Sequence, residues 1–222
     1  LGQGLGEPRK TAYRARMDTE PGAERWVPEG AGIDALRHAV QECRGCELWR
    51  ASTQAVFGDG LPSARLMLVG EQPGDKEDLA GEPFVGPAGR VLDQAIEAAG
   101  IRRDDVYVTN AVKHFRFEER GKRRIHRRPD TGHISACHPW LDAEVDGEQA
   151  DVVVGLGATA ARAVFGRVVK IGEERGRPME IAGRTVIVTI HPSAVLRVRD
   201  TAERDAATAG LADDLRLAAE VV

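Results

Sequence analysis

Four short apolar runs, at 66–69, 106–108, 152–154 and 186–190, punctuate the chain, and none of them alternates apolar with polar positions. A strand that is apolar on both faces is buried on both, which is the pattern of a parallel sheet covered by helices. The segments between the runs carry the helical period instead. Val91, Leu92, Ala95, Ile96 and Ala99 fall on one helix face, and Ala160, Ala161, Val164 and Phe165 on another. A last helix over 202–219 turns Leu211, Leu215 and Ala218 inward, and a short early one is marked by Ile33, Leu36, Arg37 and Val40. This alternation predicts an α/β domain, a three-layer α/β/α sandwich around a central parallel sheet, over residues 33–222. Residues 1–32 are rich in Gly, Pro, Glu and Arg without apolar periodicity and read as an extended or disordered lead-in, in which only Trp26 and Val27 are suited to local packing.

Composition narrows the class. The 222 residues suffice for one domain with a proper core, and 42% hydrophobic against 30% charged residues fits a globular protein. No apolar stretch reaches bilayer length and no basic-then-apolar leader opens the sequence, so a cytoplasmic monomer with no membrane partner is expected. Three cysteines in a reducing compartment are free thiols or ligands rather than a disulfide framework. The formal net charge is −4, yet residues 121–128 read Gly-Lys-Arg-Arg-Ile-His-Arg-Arg. A basic run in an acidic chain suits a polyanion, and His126 inside it is the one side chain there that is a neutral nucleophile or base near pH 7.

In open parallel sheets ligands bind beyond the carboxyl ends of the strands. Gly70-Glu71-Gln72-Pro73-Gly74-Asp75 follows the first run, and Thr109-Asn110-Ala111-Val112-Lys113-His114 the second. Gly155-Leu156-Gly157-Ala158 follows the third and His191-Pro192-Ser193 the fourth. The third block extends to G-x-G-x-x-A, with Glu173 or Glu174 as the ribose-binding acid of a dinucleotide site. Two strands precede it, however, and it leaves the cysteines and the basic run without a role. Close backbone approach to a phosphate, here of DNA, is the simpler use of its two glycines.

Cys43-Arg44-Gly45-Cys46 is a C-x-x-C, and Cys137 is the remaining cysteine. Three thiolates need a fourth ligand to close either a zinc site or a four-iron cluster. His38, His114, His133 and His138 are the candidates; His38 reads as a surface position, and spacing does not choose among the other three.

The stretch 70–75, with Gly81 and Pro83-Phe84-Val85-Gly86-Pro87-Ala88-Gly89, resembles the first motif of the iron–sulfur (family 4) uracil-DNA glycosylases. Asn110-Ala111-Val112-Lys113, Cys137-His138-Pro139-Trp140-Leu141, 155–160 and His191-Pro192-Ser193 are similar to the later blocks in the same order. Two departures stand out. His114 occupies the place of that family's third cysteine, and the Lys-Arg-Arg-Ile-His stretch resembles the X-type branch, which binds uracil-containing DNA and becomes covalently attached to it through that histidine. The resemblance thus implies a structural 4Fe-4S cluster on Cys43, Cys46, His114 and Cys137.

It also implies a division of labour. Phe84 stacks on a flipped base, Asn110 matches the donor and acceptor of the uracil edge, and His191 donates to O2 as charge builds on the leaving base. Glu71, Gln72 and Asp75 are placed to position a water, with Gln72 also near the base. His126 competes with that water for the sugar, with Glu71 on its other ring nitrogen. Lys122, Arg123, Arg124, Arg127 and Arg128, with Ser193, are expected on DNA phosphates. The resulting expectation is recognition of uracil in DNA, single strands preferred, followed by capture through His126. A turnover glycosylase and a non-enzymatic cluster-containing DNA binder are the alternatives.

Overall fold

The structure is a computed structural model that describes residues 22–61 and 64–222. Its elements run α1 (Ile33–Ala39), β1 (Leu66–Gly70), α2 (Asp75–Ala80), α3 (Pro87–Ala98), β2 (Val106–Asn110), β3 (Phe117–Arg120), β4 (Arg123–His126), α4 (Thr131–Glu148), β5 (Val152–Leu156), α5 (Gly157–Phe165), α6 (Ile171–Glu174), β6 (Met179–Ile181), β7 (Arg184–Thr189), α7 (Pro192–Val195) and α8 (Thr201–Glu220). The four apolar runs are β1, β2, β5 and β7. They pair in parallel, and β6 adds an antiparallel edge, giving the order β2-β1-β5-β7-β6.

Side chains on a strand point alternately to the two faces, and here both faces are filled. Met67 and Val69 of β1, with Tyr107, Val153 and Val186, pack against α1, α4 and α5 through Leu36, Ile134, Trp140, Leu141, Ala160 and Val164. Leu66 and Leu68, with Val106, Val108, Val152, Val154 and Ile187, pack on the other side against Leu92, Ala95 and Ile96 of α3 and Leu211, Leu215 and Ala218 of α8. The result is the expected three-layer α/β/α sandwich. Among the described residues no helix is long and apolar enough to cross a membrane.

Two elements were not among those the apolar pattern predicts. The segment around Cys137 is an 18-residue helix, α4, although Pro139 lies inside it. The Asp130 side chain caps its first turn by accepting from the His133 N–H at 3.1 Å. The basic run forms half of an antiparallel hairpin, β3–β4, in a small sheet of its own. Of the expected lead-in, residues 1–21 lie outside the described residues. Residues 22–32 include a 3-10 turn at Glu24–Trp26. Ala23 is buried and its N–H bonds to Ala136 O at 2.8 Å, while Trp26 and Val27 rest on the core.

Register fixes where the strands end. Gly70 lies opposite Asn110 and Leu156 opposite Thr189, so the four following loops open on one rim. The chain runs from β1 to β2 on one side and returns to β5 on the other, which leaves a crevice between the loops after β1 and β5.

Candidate active site

Two glycines make room for three side chains on this rim. A Cβ on Gly70 would lie 2.4 Å from Asn110 Oδ1 and 2.6 Å from Phe84 Cζ. One on Gly157, whose φ is +86°, would lie 2.8 Å from His191 Cβ. Phe84, Asn110 and His191 thus converge only because both positions lack side chains. The Phe84 and His191 rings stack with centroids 6.4 Å apart and planes at 28°. Phe84 is itself left-handed, at φ +59°, a backbone state that surrounding structure must impose. Two main-chain bonds help to impose it: the Glu77 carboxylate accepts from Gly74 N at 3.1 Å and Gly86 N at 2.8 Å, strapping the Phe84 turn to the loop after β1.

Asn110 is buried, and its main-chain carbonyl accepts from Lys113 Nζ at 2.7 Å. Lys113 in turn meets Glu144 of α4, both side chains being fully buried, and Glu144 also accepts from Tyr107 Oη at 3.0 Å and Gly58 N at 2.9 Å. His191 has a fixed tautomer. Its Nδ1 accepts from the Ser193 N–H at 3.1 Å and lies 2.8 Å from Ser193 Oγ, which leaves the proton on Nε2. Burial, with help from Arg197 and His126, pushes its pKa down to about 4, so at neutral pH it is an uncharged donor.

The hairpin brings His126 to the same rim. Gly121, at φ +61°, opens the two-residue turn with Lys122, as primed hairpin turns require. Phe117 pairs with His126 and Glu119 with Arg124. Arg124 anchors the hairpin to α2: its Nε donates to Asp75 Oδ1 and its Nη1 to Asp78 Oδ2, each at 2.6 Å, and its guanidinium lies over Phe117 and Phe115. Gln72 anchors its base. The amide nitrogen lies 3.1 Å from Arg116 O and 3.0 Å from both Arg127 O and His126 Nε2, while Oε1 accepts from Arg116 N at 3.1 Å.

The Glu71 carboxylate is gripped from behind: Thr159 Oγ1 donates to Oε2, and Arg128 Nε lies 3.5 Å from the same oxygen. Its Oε1 faces His126 Nε2 at 3.6 Å. The His126 side chain keeps 48% of its surface, enough for an incoming ligand to reach the ring. Its pKa lies below the ordinary histidine value through partial burial first, with Arg197 lowering it further and Glu71 and Glu77 opposing.

The comparisons with known proteins bear on this rim directly. The family model of the uracil DNA glycosylase superfamily matches residues 57–216, a span that holds all four rim loops and the hairpin. The chain belongs to the uracil-DNA glycosylase superfamily. Over 176 residues it is 35% identical to a type-4 uracil-DNA glycosylase of Sulfurisphaera tokodaii, covering 74% of this chain and 76% of the relative. It is 38% identical over 169 residues to the type-4 enzyme of Thermotoga maritima, 75% of this chain and 84% of the relative. A third, from Saccharolobus solfataricus, is 34% identical over 173 residues, with 74% and 77% covered.

Within this uracil-DNA glycosylase superfamily member, several of the expected site residues also have partners inside the protein. Of the cations expected on phosphates, Lys122 and Arg123 are exposed at the hairpin tip. Arg124 is committed to Asp75 and Asp78, Arg127 donates to Glu118 at 2.7 Å, and Arg128 donates to Thr159 at 2.9 Å. Ser193 bonds His191, and the Asp75 carboxylate accepts from Arg124. The glycines of the 155–160 block also have internal explanations. Gly157 admits His191, and a Cβ on Gly155 would lie 3.2 Å from the Ala161 backbone, so strand and helix are in close contact there. Glu174, considered as a ribose-binding acid, instead pairs with Arg167.

The cysteines lie on the α1–α4 side of the sheet, Cys43 and Cys137 buried and Cys46 half-buried. Each buried sulfur has an N–H donor: Trp140 Nε1 at 3.2 Å and Gly45 N at 3.4 Å for Cys43, and Lys113 N at 3.2 Å for Cys137. Burial raises the Cys46 thiol to about 11 and raises Cys137 as well; the neighbouring sulfurs add to both shifts. His114 is buried too, and desolvation, then Arg44, brings it down to about 4. The other candidate histidines have carboxyl or carbonyl partners: His38 with Asp34 O at 2.7 Å, His133 with Glu47 at 2.8 Å and Asp130 at 2.7 Å, and His138 with Asp142 at 3.3 Å. Among the described residues no three such side chains are arranged around a single ion. In a four-iron cluster each ligand binds a different iron, so its ligands stand further apart than those of one ion.

Sequence reasoning missed Thr159, Glu77, Glu144 and Arg197. Thr159 sits inside a block singled out for its glycines, and Glu77 follows Gly74 at the capping-box spacing, so both carried a signal. Glu144 carried none, since only the fold brings it to Lys113 from 31 residues away.

Proposed function

We propose that the protein recognises uracil in DNA, single strands preferred, cleaves its glycosidic bond and becomes covalently linked to the sugar C1′ through His126. The observation that carries the reading is the docking of the hairpin, which sets an accessible His126 against Gln72 and Glu71 on the rim where Phe84, Asn110 and His191 converge.

A uracil turned out of the stack lies on Phe84. The Asn110 carboxamide accepts a hydrogen bond from N3–H and donates one to O4, and His191 Nε2–H donates to O2. As the C1′–N1 bond breaks, its electron pair leaves with uracil, and the O2 contact strengthens with the charge it meets. His191 suits this role because it is neutral with its proton on Nε2. The His126 ring nitrogen that faces C1′ supplies the new electron pair, and the sugar–imidazole bond forms in place of sugar–uracil. The resulting imidazolium loses the proton on its other nitrogen, for which Glu71 is the adjacent carboxylate. The neutral N-alkyl imidazole is a poor leaving group, so turnover stops. Held in the site, His126 has a large effective concentration over a diffusing water.

A 4Fe-4S cluster would be held by Cys43, Cys46, Cys137 and His114. The fit rests on the donor set: three sulfurs that feel one another, N–H donors aimed at the two buried ones, and a neutral histidine, the form that ligates. When bound, such a cluster supplies structure, joining the 43–46 turn to α4 and to the Asn110–His114 segment. We read the protein as a cytoplasmic monomer acting on uracil-containing DNA.

The test is a denaturing gel with a uracil oligonucleotide. One oligonucleotide per protein should stay attached through boiling in detergent, with none from a thymine control. His126→Ala should lose the band and release free uracil through water attack. An adduct that persists in His126→Ala, or that maps to another residue, refutes the assignment. Repeated turnover without an adduct in the native chain would instead support an ordinary hydrolytic glycosylase.

A further inference from the structure

The geometry points to Thr159 as a positioning residue for the capture step, acting through Glu71. The inference rests on the proposed role of His126. Thr159 is 2% exposed in the first turn of α5, where a threonine hydroxyl ordinarily bonds back to its own helix or stays solvated. Here it does neither. Its Oγ1 donates to Glu71 Oε2 and accepts from Arg128 Nε at 2.9 Å.

Those two partners come from different elements. Glu71 follows β1 and Arg128 leaves the hairpin after β4, so one buried hydroxyl ties the carboxylate to the hairpin across the crevice between the β1 and β5 loops. Glu71 Oε2 is thereby occupied, and Oε1 is the oxygen left to face His126 Nε2 at 3.6 Å. Without the hydroxyl, Arg128 at 3.5 Å is the remaining hold on Oε2, and a guanidinium on an exposed side chain draws the carboxylate outward rather than fixing its rotation. The orientation of Glu71 toward the imidazole is then lost, while Phe84, Asn110 and His191 are untouched.

The experiment is single-turnover attachment of a uracil oligonucleotide to the full protein, for native, Thr159→Val, Thr159→Ser, Glu71→Ala and the Glu71→Ala plus Thr159→Val pair. Valine keeps the volume and removes the hydroxyl. The maximal attachment rate of Thr159→Val should fall by on the order of ten- to a hundredfold, the worth of one hydrogen bond to a charged group, at unchanged affinity for uracil DNA. Serine should restore it, and the double variant should be no slower than Glu71→Ala alone. A Thr159→Val rate within about twofold of native would overturn the inference, as would a double variant slower than Glu71→Ala. So would a loss confined to affinity, or a failure of serine to rescue. If the native chain forms no adduct, the capture reading falls and this inference with it, an outcome distinct from a native adduct that ignores Thr159.

Discussion

Removing the Arg124 guanidinium should release the hairpin and separate uracil recognition from covalent capture. Arg124 donates to Asp75 and Asp78 at 2.6 Å each, and Asp78 is fully buried, with the Thr53 N–H at 2.9 and 3.1 Å as a further donor among the described residues. Arg124→Ala therefore strands a buried carboxylate, a change that costs about 3–5 kcal/mol. Because the Arg124 side chain is 19% exposed, water relieves part of this, and about 3 kcal/mol is the better figure. Every 1.4 kcal/mol is about tenfold, so the docked fraction falls by up to about a hundredfold, and the attachment rate follows it. Lysine cannot fork to two carboxylates, so Arg124→Lys should recover only a part. The assay is a time course of the detergent-resistant band, run beside free-uracil release and hydrogen exchange over 117–126. Attachment should collapse while uracil release persists, because Phe84, Asn110 and His191 are untouched, and hairpin amides should exchange faster. Attachment within threefold of native, roughly 0.7 kcal/mol, with unchanged exchange would refute the anchoring argument.

Three other outcomes follow. Binding to undamaged DNA should lose up to about two units of salt slope in Lys122→Ala plus Arg123→Ala, the exposed cations, and an unchanged slope removes them from phosphate contact. The attachment rate should fall at low pH as His126 gains the proton that blocks attack. Since its pKa is held below the ordinary 6.5, the midpoint should lie below 6.5, and a midpoint above it contradicts the burial argument. Lys113→Met should leave the buried Glu144 without its counter-charge at a cost of about 3–5 kcal/mol, lowering the melting temperature by roughly 6–20 °C, with partial recovery on adding Glu144→Leu. A melt within about 2 °C of native would show that the pair is not needed.

The central sheet was legible because β1, β2, β5 and β7 carry apolar runs without alternation, the pattern of a covered parallel sheet, and helical periods lie between them. The hairpin was not, because β3 and β4 read Phe-Glu-Glu-Arg and Arg-Arg-Ile-His, and their partners are carboxylates and a glutamine amide rather than apolar core. Helix α4 was hidden by Pro139 and by the His and Cys residues around it, since its stability comes from Trp140, Leu141 and the Glu144 network instead of a clean apolar stripe. At the site, Phe84, Asn110, His126 and His191 were named from the strand ends and the motif. The internal partners of Arg124, Arg127 and Ser193 were not readable, because a charge or hydroxyl in sequence does not reveal what it bonds within the fold.

The hairpin's separateness from the five-stranded sheet has a practical consequence. A module that shares no ladder with the scaffold is transplantable, and the contacts around it name what the recipient must offer: an acidic pair equivalent to Asp75 and Asp78 on the helix after β1, and a glutamine equivalent to Gln72 to receive the two ends of the graft. If His126 captures the sugar as proposed, a turnover glycosylase supplied with those two carboxylates and that amide becomes a scaffold for a self-labelling reagent.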